Sequence, residues 1–333
     1  MICTERFKKL PKDNEIATKD KGKCYLISIV IPIFNEQDVL PTLYSRLKEA
    51  ISHIDMPTEI IFVNDGSIDT SMDVLLEFMS HDEDVRILDF SRNYGHQAAL
   101  SAGMQYSCGN AVITMDADLQ HPPELIPELI KKWEEGYDVV YTCRTITANA
   151  TFFKNITSTF FYEMINKLSK INIPQGAADF RLLDQKVIES FRLLNEQRLF
   201  IRGLISWMGY RQIGIPYEAP ERCAGTSKYT LFRMIRFAID GITSFSSVPL
   251  YFSASIGLFI SLISFIYGVF VIYSWLFTGK VIEGWTSLMV VSLFVGGIQL
   301  ITLGILGVYI GRVYDEAKRR PRYLLRQKFG FDE

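Results

Sequence analysis

Ser28-Ile29-Val30-Ile31-Pro32-Ile33-Phe34-Asn35-Glu36 is a short β-branched run that ends abruptly in polar residues. Directly after it Val39, Leu40, Leu43, Leu47 and Ile51 recur at helical spacing, so the stretch reads as a strand followed by a helix. The unit repeats. Further strands are expected at 59–64, 85–90, 111–115 and 138–143, and helices at 70–79, 96–106 and 123–133. An α/β alternation of this kind predicts a mostly parallel sheet with helices on both faces. Ligands of such sheets bind outside the carboxyl ends of the strands. The polar sequences fall there: Asn35-Glu36, Asp65-Gly66-Ser67, Ser91-Arg92-Asn93 and Asp116-Ala117-Asp118 end the first four strands.

The turn chemistry narrows the ligand. A dinucleotide fold needs glycines after its first strand, where this chain has Phe34-Asn35-Glu36-Gln37-Asp38, and no G-x-x-x-x-G-K-[ST] occurs anywhere. An acidic crevice that takes a diphosphate needs a cation to offset the repulsion. Asp116 and Asp118, at i and i+2 on a turn, can reach one hard divalent ion, with Gln120 as a third oxygen donor. Taken alone, D-x-D is a weak signal, because acidic turns are common.

Composition removes other classes. With 35 basic against 37 acidic side chains and a net charge of −2, the chain shows no global surface for nucleic acid. Cys3, Cys24, Cys108, Cys143 and Cys223 are odd in number and lack metal or redox spacing, which points to a reducing compartment. The start of the chain is polar and carries Arg6, Lys8, Lys9, Lys12, Lys19, Lys21 and Lys23 without an apolar run, so it reads as a mobile basic arm and not a secretory signal.

Residues 241–279 and 284–311 contain no Asp, Glu, Lys or Arg. About 20 apolar residues cross a bilayer, and membrane helices are expected at 249–277 and 287–310. Lys228, Arg233 and Arg236 precede the pair, Arg312, Lys318, Arg319, Arg320, Arg322, Arg326 and Lys328 follow it, and only Lys280 and Glu283 lie between. Positive flanks stay inside, so both termini should face the cytoplasm. Leu231, Phe232, Ile235, Ile239 and Ile242 recur at helical spacing, as in a helix lying along the membrane surface. Small residues such as Gly307 with Gly311 would let membrane helices approach closely, within the hairpin or in a homo-oligomer.

Ile31-Pro32-Ile33-Phe34-Asn35-Glu36, Val63-Asn64-Asp65-Gly66-Ser67 and Met115-Asp116-Ala117-Asp118-Leu119-Gln120-His121-Pro122-Pro123-Glu124 occur in this order at strand ends. As a set they resemble glycosyltransferase family 2. With Ala178-Asp179-Phe180-Arg181-Leu182, the loop Glu221-Arg222-Cys223-Ala224-Gly225-Thr226-Ser227-Lys228-Tyr229 and the two-helix anchor, the chain is similar to the polyisoprenyl-phosphate glycosyltransferases of that family. That group holds dolichol-phosphate mannose synthases and bacterial undecaprenyl-phosphate glucosyltransferases. The resemblance implies a GT-A fold with Pro32, Phe34, Glu36 and Asp65 around the nucleoside and Asp116, Asp118 and Gln120 on Mg2+ or Mn2+. Asp65 also suits a turn cap ahead of Gly66, and Glu36 also suits the N-terminus of its helix. Asp179 falls where the group's presumed catalytic carboxylate lies, with orientation of Arg181 or of the donor sugar as the other reading; Asp118 joins it as a catalytic candidate. Arg181, Arg222 and Lys228 are expected on lipid phosphate or diphosphate, and Arg144 beside the nucleotide sugar. His96 and His121 read as helix-end or shell residues, His53 and His81 as surface.

The resemblance implies inverting transfer of a hexose, with UDP-glucose favoured, onto polyisoprenyl (undecaprenyl) phosphate at the cell membrane, giving a lipid-linked sugar for surface glycan. The chain then divides into a basic arm (1–25), a cytoplasmic catalytic domain (26–228), an interfacial helix (229–247), a membrane hairpin (248–311) and a basic cytoplasmic tail (312–333). A processive polysaccharide synthase would carry Q-x-x-R-W and more membrane helices; the nearest stretch, Glu196-Gln197-Arg198-Leu199-Phe200-Ile201-Arg202, does not fit. A non-catalytic membrane scaffold would not need the whole D-x-D-x-Q set.

Overall fold

The first strand, β1 (Ile27–Ile33), is buried along its whole length. Its side chains alternate between two apolar layers, Ile27, Ile29, Ile31 and Ile33 on one face of the sheet and Val30 on the other. A strand covered on both faces reads as a continuous apolar run, and β2 (Thr58–Asn64), β3 (Val85–Phe90) and β4 (Ala111–Thr114) are buried in the same way. The computed structural model describes residues 25–144, 176–197, 199–218, 243, 246–278 and 284–331.

Helices α1 (Leu40–Ser52), α2 (Ser71–His81) and α4 (Ile126–Glu134) cover the first layer through Leu40, Leu43, Leu47, Leu75, Ile126, Leu129 and Trp133. The second layer is closed by α3 (His96–Tyr106), α5 (Gln185–Arg192) and α6 (Ile201–Trp207), through Leu100, Met104, Val187, Phe191 and Leu204. With β5 (Val139–Arg144), β6 (Ala177–Asp184), β7 (Gln212–Tyr217) and β8 (Leu325–Phe329), the eight strands run in the order β7-β5-β6-β4-β1-β2-β3-β8. β1 pairs in parallel with both β2 and β4, so the strand order reverses at β1 and opens a crevice at the carboxyl ends of β1 and β4.

Three features differ from the sequence reading. β6 enters between β4 and β5 antiparallel to both; its Asp179 and Arg181 interrupt the apolar run that marks a buried strand. The second apolar helix is longer than the 287–310 expected for a membrane span. Finally, residues 312–333 are not simply a basic tail: 312–317 continue that helix, and β8 adds antiparallel to the edge of β3. Its charged side chains suit an edge strand, where polarity guards against pairing with other chains.

Helices α7 (Val248–Thr278) and α8 (Trp285–Ala317) form an antiparallel hairpin, tied at one end by Tyr309 Oη donating to the Ser246 carbonyl at 2.6 Å. Val248–Phe270 and Val290–Ala317 are long and apolar enough to cross a bilayer, and 6% and 0% of the most apolar window in each is buried within the protein. Leu258, Phe259, Phe265, Leu293, Phe294 and Leu300 all face outward, as a helix solvated by lipid requires. Residues 1–24 of the basic arm, all of 229–247 except Thr243, Ser246 and Ser247, the connector with Lys280 and Glu283, and both Arg222 and Lys228 lie outside the described residues.

α3 lies so close to β1 that a Cβ on Gly103 would fall 2.0 Å from Cγ1 of the buried Val30. Gly103→Ala should therefore cost about 1 to 3 kcal/mol through overpacking. Thermal unfolding of the detergent-solubilised protein checks this, and an unchanged midpoint would show that α3 has room to shift.

Candidate active site

A cleft of about 340 Å³ lies at the strand-order reversal, lined by Pro32, Ile33, Phe34 and Glu36 from the end of β1, Asp65 from β2, Asn93, Gly95 and His96 from the β3–α3 connection, and Asp116, Ala117 and Asp118 from the end of β4. All four polar strand ends converge, as the alternation implies. The volume is within the range of small-molecule sites.

Two turns shape it. Asp65 is buried, and its carboxylate accepts the amides of Tyr94 at 2.6 Å and Gly95 at 2.9 Å. It thus draws the β3–α3 connection against the end of β2 and does not cap its own turn. Gly66 follows with φ +67°, and a Cβ there would meet the Arg92 carbonyl carbon at 2.4 Å. Only glycine fits, because the two loops abut. Burial raises the Asp65 pKa, against the pull of the two amides and of His96.

The acidic turn is held by two histidines. His96 Nε2 lies 2.6 Å from Asp116 Oδ1, and His121 Nδ1 accepts the Asp116 amide at 2.9 Å. The acceptor role assigns the proton of a neutral His121 ring to Nε2; burial accordingly lowers its pKa, opposed by Asp116 and Asp118. At His96 burial pulls the pKa down, but the Asp116 carboxylate leaves it raised. Leu119 takes φ 60° between Asp118 and Gln120, a backbone conformation that costs an ordinary side chain about 1 kcal/mol or more. Gln120 is half-buried and gives its amide to Asp118 Oδ1 at 3.1 Å, but its side chain is not among those lining the cleft.

Negative charge accumulates here. The Glu36 pKa is raised by burial and then by Asp118, Asp69 and Asp116, and no Lys or Arg is among the described residues that line the cleft. Among the described residues no three His, Cys, Asp or Glu side chains form a ready metal cage. Two carboxylates on the lining of an open cleft fit a hard divalent ion whose other oxygen ligands come from a bound diphosphate and water.

Asp179 lies behind this front. It is buried, accepts Arg202 through both oxygens at 2.7 and 2.8 Å, and stands 3.6 Å from Arg181. Burial would raise its pKa, but the bidentate Arg202 and then Arg181 hold it far below the usual carboxylate range. The carboxylate is an anchor in this arrangement, fully ionised and oriented. Arg181 is itself buried, which lowers its pKa to about 10, and it donates to the Ala178 carbonyl at 2.7 Å. Arg144 is exposed at the end of β5, outside the cleft lining, and pairs in register with Tyr217 of β7. Sequence reasoning missed Arg202, whose only signal was a cation at the end of the stretch compared with Q-x-x-R-W. His96, expected at a helix end, is the first residue of α3 and lines the cleft. His53 and His81 are exposed surface residues.

The description "Glycosyl transferase family 2" matches residues 28–192. Glycosyltransferase YkcC of Bacillus subtilis (strain 168), described as uncharacterized, is 47% identical over 92% of this chain and 94% of its own. The bactoprenol glucosyl transferase of Shigella phage SfV is 41% identical over 91% of this chain and 98% of its own. Among solved structures, glucosyl-3-phosphoglycerate synthase from Mycobacterium tuberculosis, in complex with Mn2+, uridine diphosphate and phosphoglyceric acid, superposes with a TM-score of 0.50 at 14% identity, covering 66% of this chain and 78% of that one. That likeness shows the GT-A-like fold.

Removing Arg202 would strand the Asp179 carboxylate in the interior with Arg181 at longer range. Arg202→Ala should destabilise the protein by about 2 to 3 kcal/mol, toward the low end for a broken buried pair because Arg202 is 30% exposed. Denaturant titration checks it, and Asp179→Asn in the same background should recover part of the loss; no loss in the single variant would show that the pair is dispensable.

Proposed function

The chain belongs to glycosyltransferase family 2, and we propose that within it the protein transfers glucose from a nucleotide sugar, UDP-glucose foremost, to polyisoprenyl phosphate at a membrane. The observation that carries this reading is similarity at 41% identity to a bactoprenol glucosyl transferase along nearly the whole chain, apolar hairpin included. An acidic cleft joined to a lipid-facing hairpin suits a reaction between a soluble anionic donor and a lipid acceptor. Phe34 and Asp65 would flank the nucleoside, with Pro32 beneath it and Glu36 at the edge. Asp116 and Asp118, with Gln120 beside them, would hold Mg2+ or Mn2+, which when bound supplies charge neutralisation on the departing nucleoside diphosphate.

In the step itself a lipid phosphate oxygen attacks the anomeric carbon from the face opposite the leaving group. The new O–C1 bond forms as the C1–O bond to the diphosphate breaks, which inverts the anomeric centre. A phosphate monoester has its second pKa at about 6, so the nucleophile is already largely dianionic near neutral pH and has no proton to give up. That agrees with an Asp179 committed to Arg202: its role would be to fix Arg202 and Arg181 beside the reacting groups. Arg144, Arg181, Arg222 and Lys228 would meet phosphate. The catalytic domain and both termini would lie on the cytoplasmic side, by the positive-inside rule.

Purified protein incubated with undecaprenyl phosphate, Mg2+ or Mn2+ and a panel of radiolabelled nucleotide sugars should move label into the organic phase from UDP-glucose. EDTA should abolish transfer, and Asp118→Ala should lower it by about a hundredfold or more. If no donor labels the lipid while nucleotide still binds, the acceptor is wrong; if label transfers equally well in EDTA, the role given to Asp116 and Asp118 is wrong.

A further inference from the structure

The chain that leaves the membrane hairpin returns to the catalytic sheet and is fastened there residue by residue. Glu316, in the last turn of α8, accepts the Gln197 amide at 2.7 Å. Arg322 donates to the Leu194 carbonyl and, at 3.4 Å, to Ser101 Oγ. Tyr323 stacks on Phe90 with ring centres 4.9 Å apart and gives its hydroxyl to Gln105 at 2.7 Å. The backbone of Ser91 is then held on both sides: its amide donates to the Leu324 carbonyl at 3.0 Å, and its carbonyl accepts Arg326 Nη2 at 3.2 Å.

Ser91 leads directly into Asn93, Gly95 and His96, which form one wall of the cleft. That wall is therefore clasped twice, by Asp65 from the cleft side and by the returning strand from behind. Arg326 reaches further. Its Nη1 stands 3.3 Å from Asp89, whose carboxylate is 5% exposed and takes Asn64 Nδ2 at 2.8 Å; the same Asn64 side chain's Oδ1 in turn accepts the Ser67 amide at 3.1 Å. The guanidinium thus joins the 91–96 wall to the turn that carries Asp65. The contact at Gly66 leaves no slack between them, since even a methyl group would strike Arg92. An edge strand as such needs only backbone pairing, and an exposed ion pair is ordinarily worth little. Here one partner is buried, and loss of Arg326 would leave it with Asn64 as its remaining hydrogen-bonded neutral partner.

We infer that Arg326 is a positioning residue for the donor: from the strand that follows the membrane hairpin it sets the 91–96 wall against the 64–67 turn, so that the shape of the donor site depends on the tail. The inference rests on the reading of the cleft as the nucleotide-donor site. It makes the segment beyond the membrane helices a working part of that site, which neither the anchor nor the acidic turn requires.

The test uses the full chain in detergent, with Arg326→Ala, Arg326→Lys and, as a control on the same strand, Lys328→Ala. Three quantities are measured: amide hydrogen exchange of residues 91–96 without ligand, affinity for UDP in the presence of Mn2+, and the KM and kcat for the donor. In Arg326→Ala exchange of 91–96 should accelerate, UDP should bind about fivefold more weakly, and donor KM should rise by the same factor with kcat and the KM for lipid phosphate unchanged. Arg326→Lys should recover part of each effect, and Lys328→Ala should behave as wild type. Unchanged exchange in Arg326→Ala would overturn the inference, as would faster exchange with unchanged UDP affinity, or an equal effect from Lys328→Ala. If the wild-type protein labels no lipid, the proposed function fails while the exchange measurement, which needs neither donor nor acceptor, still decides the role of Arg326.

Discussion

A strand buried on both faces can keep a charged side chain only where a partner meets it inside; any other charge must lie past its end. β1 to β4 obey that constraint, and most of the molecule follows from it. Their apolar runs are interrupted only by groups that find partners inside, such as Ser28, whose hydroxyl bonds to Glu59, itself paired with Arg86. The polar residues are displaced to the carboxyl ends, and because the strand order reverses at β1 those ends surround one crevice. The sheet thus sorts charge before any ligand arrives.

What is sorted there is mostly negative, and the two kinds of aspartate in the region are treated differently. Asp116 and Asp118 face the open cleft, with Glu36 raised in pKa beside them, first by burial and then by their charge. Asp179, one strand over and out of solvent, is matched by a bidentate guanidinium. A carboxylate pair on the lining of an open cleft is suited to gather a cation; a buried carboxylate with its own arginine is suited to hold that arginine still. The same residue type stands in two electrostatic settings because burial and partners differ.

The apolar hairpin inverts the usual arrangement of apolar surface. Its phenylalanines and leucines point outward, where in the sheet they point in, and its connection back to the catalytic domain is polar and specific. Tyr323, Arg322 and Arg326 bind backbone carbonyls, a buried carboxylate and an aromatic face. β8 also covers the free edge of β3, which would otherwise present unpaired amides and carbonyls. Edge protection and attachment of the hairpin to the sheet are thus served by one short segment.

Local periodicity determined much of this protein by itself. The helical spacings and β-branched runs of 28–143 define the alternating elements to within about three residues, the two uncharged runs define the hairpin, and the acidic turn with its neighbours identifies the family. These are properties of near neighbours along the chain. The antiparallel insertion of β6 and the capture of 325–329 as an edge strand were not legible, since each depends on pairing between segments far apart in sequence. The same holds for single residues. That Asp65 clasps Tyr94 and Gly95, that Arg202 neutralises Asp179, and that Arg326 reaches Asp89 are contacts across 29, 23 and 237 positions. Tertiary structure alone decides such pairs, because a side chain's charge is written in the sequence but its partner is chosen by the packing of the sheet.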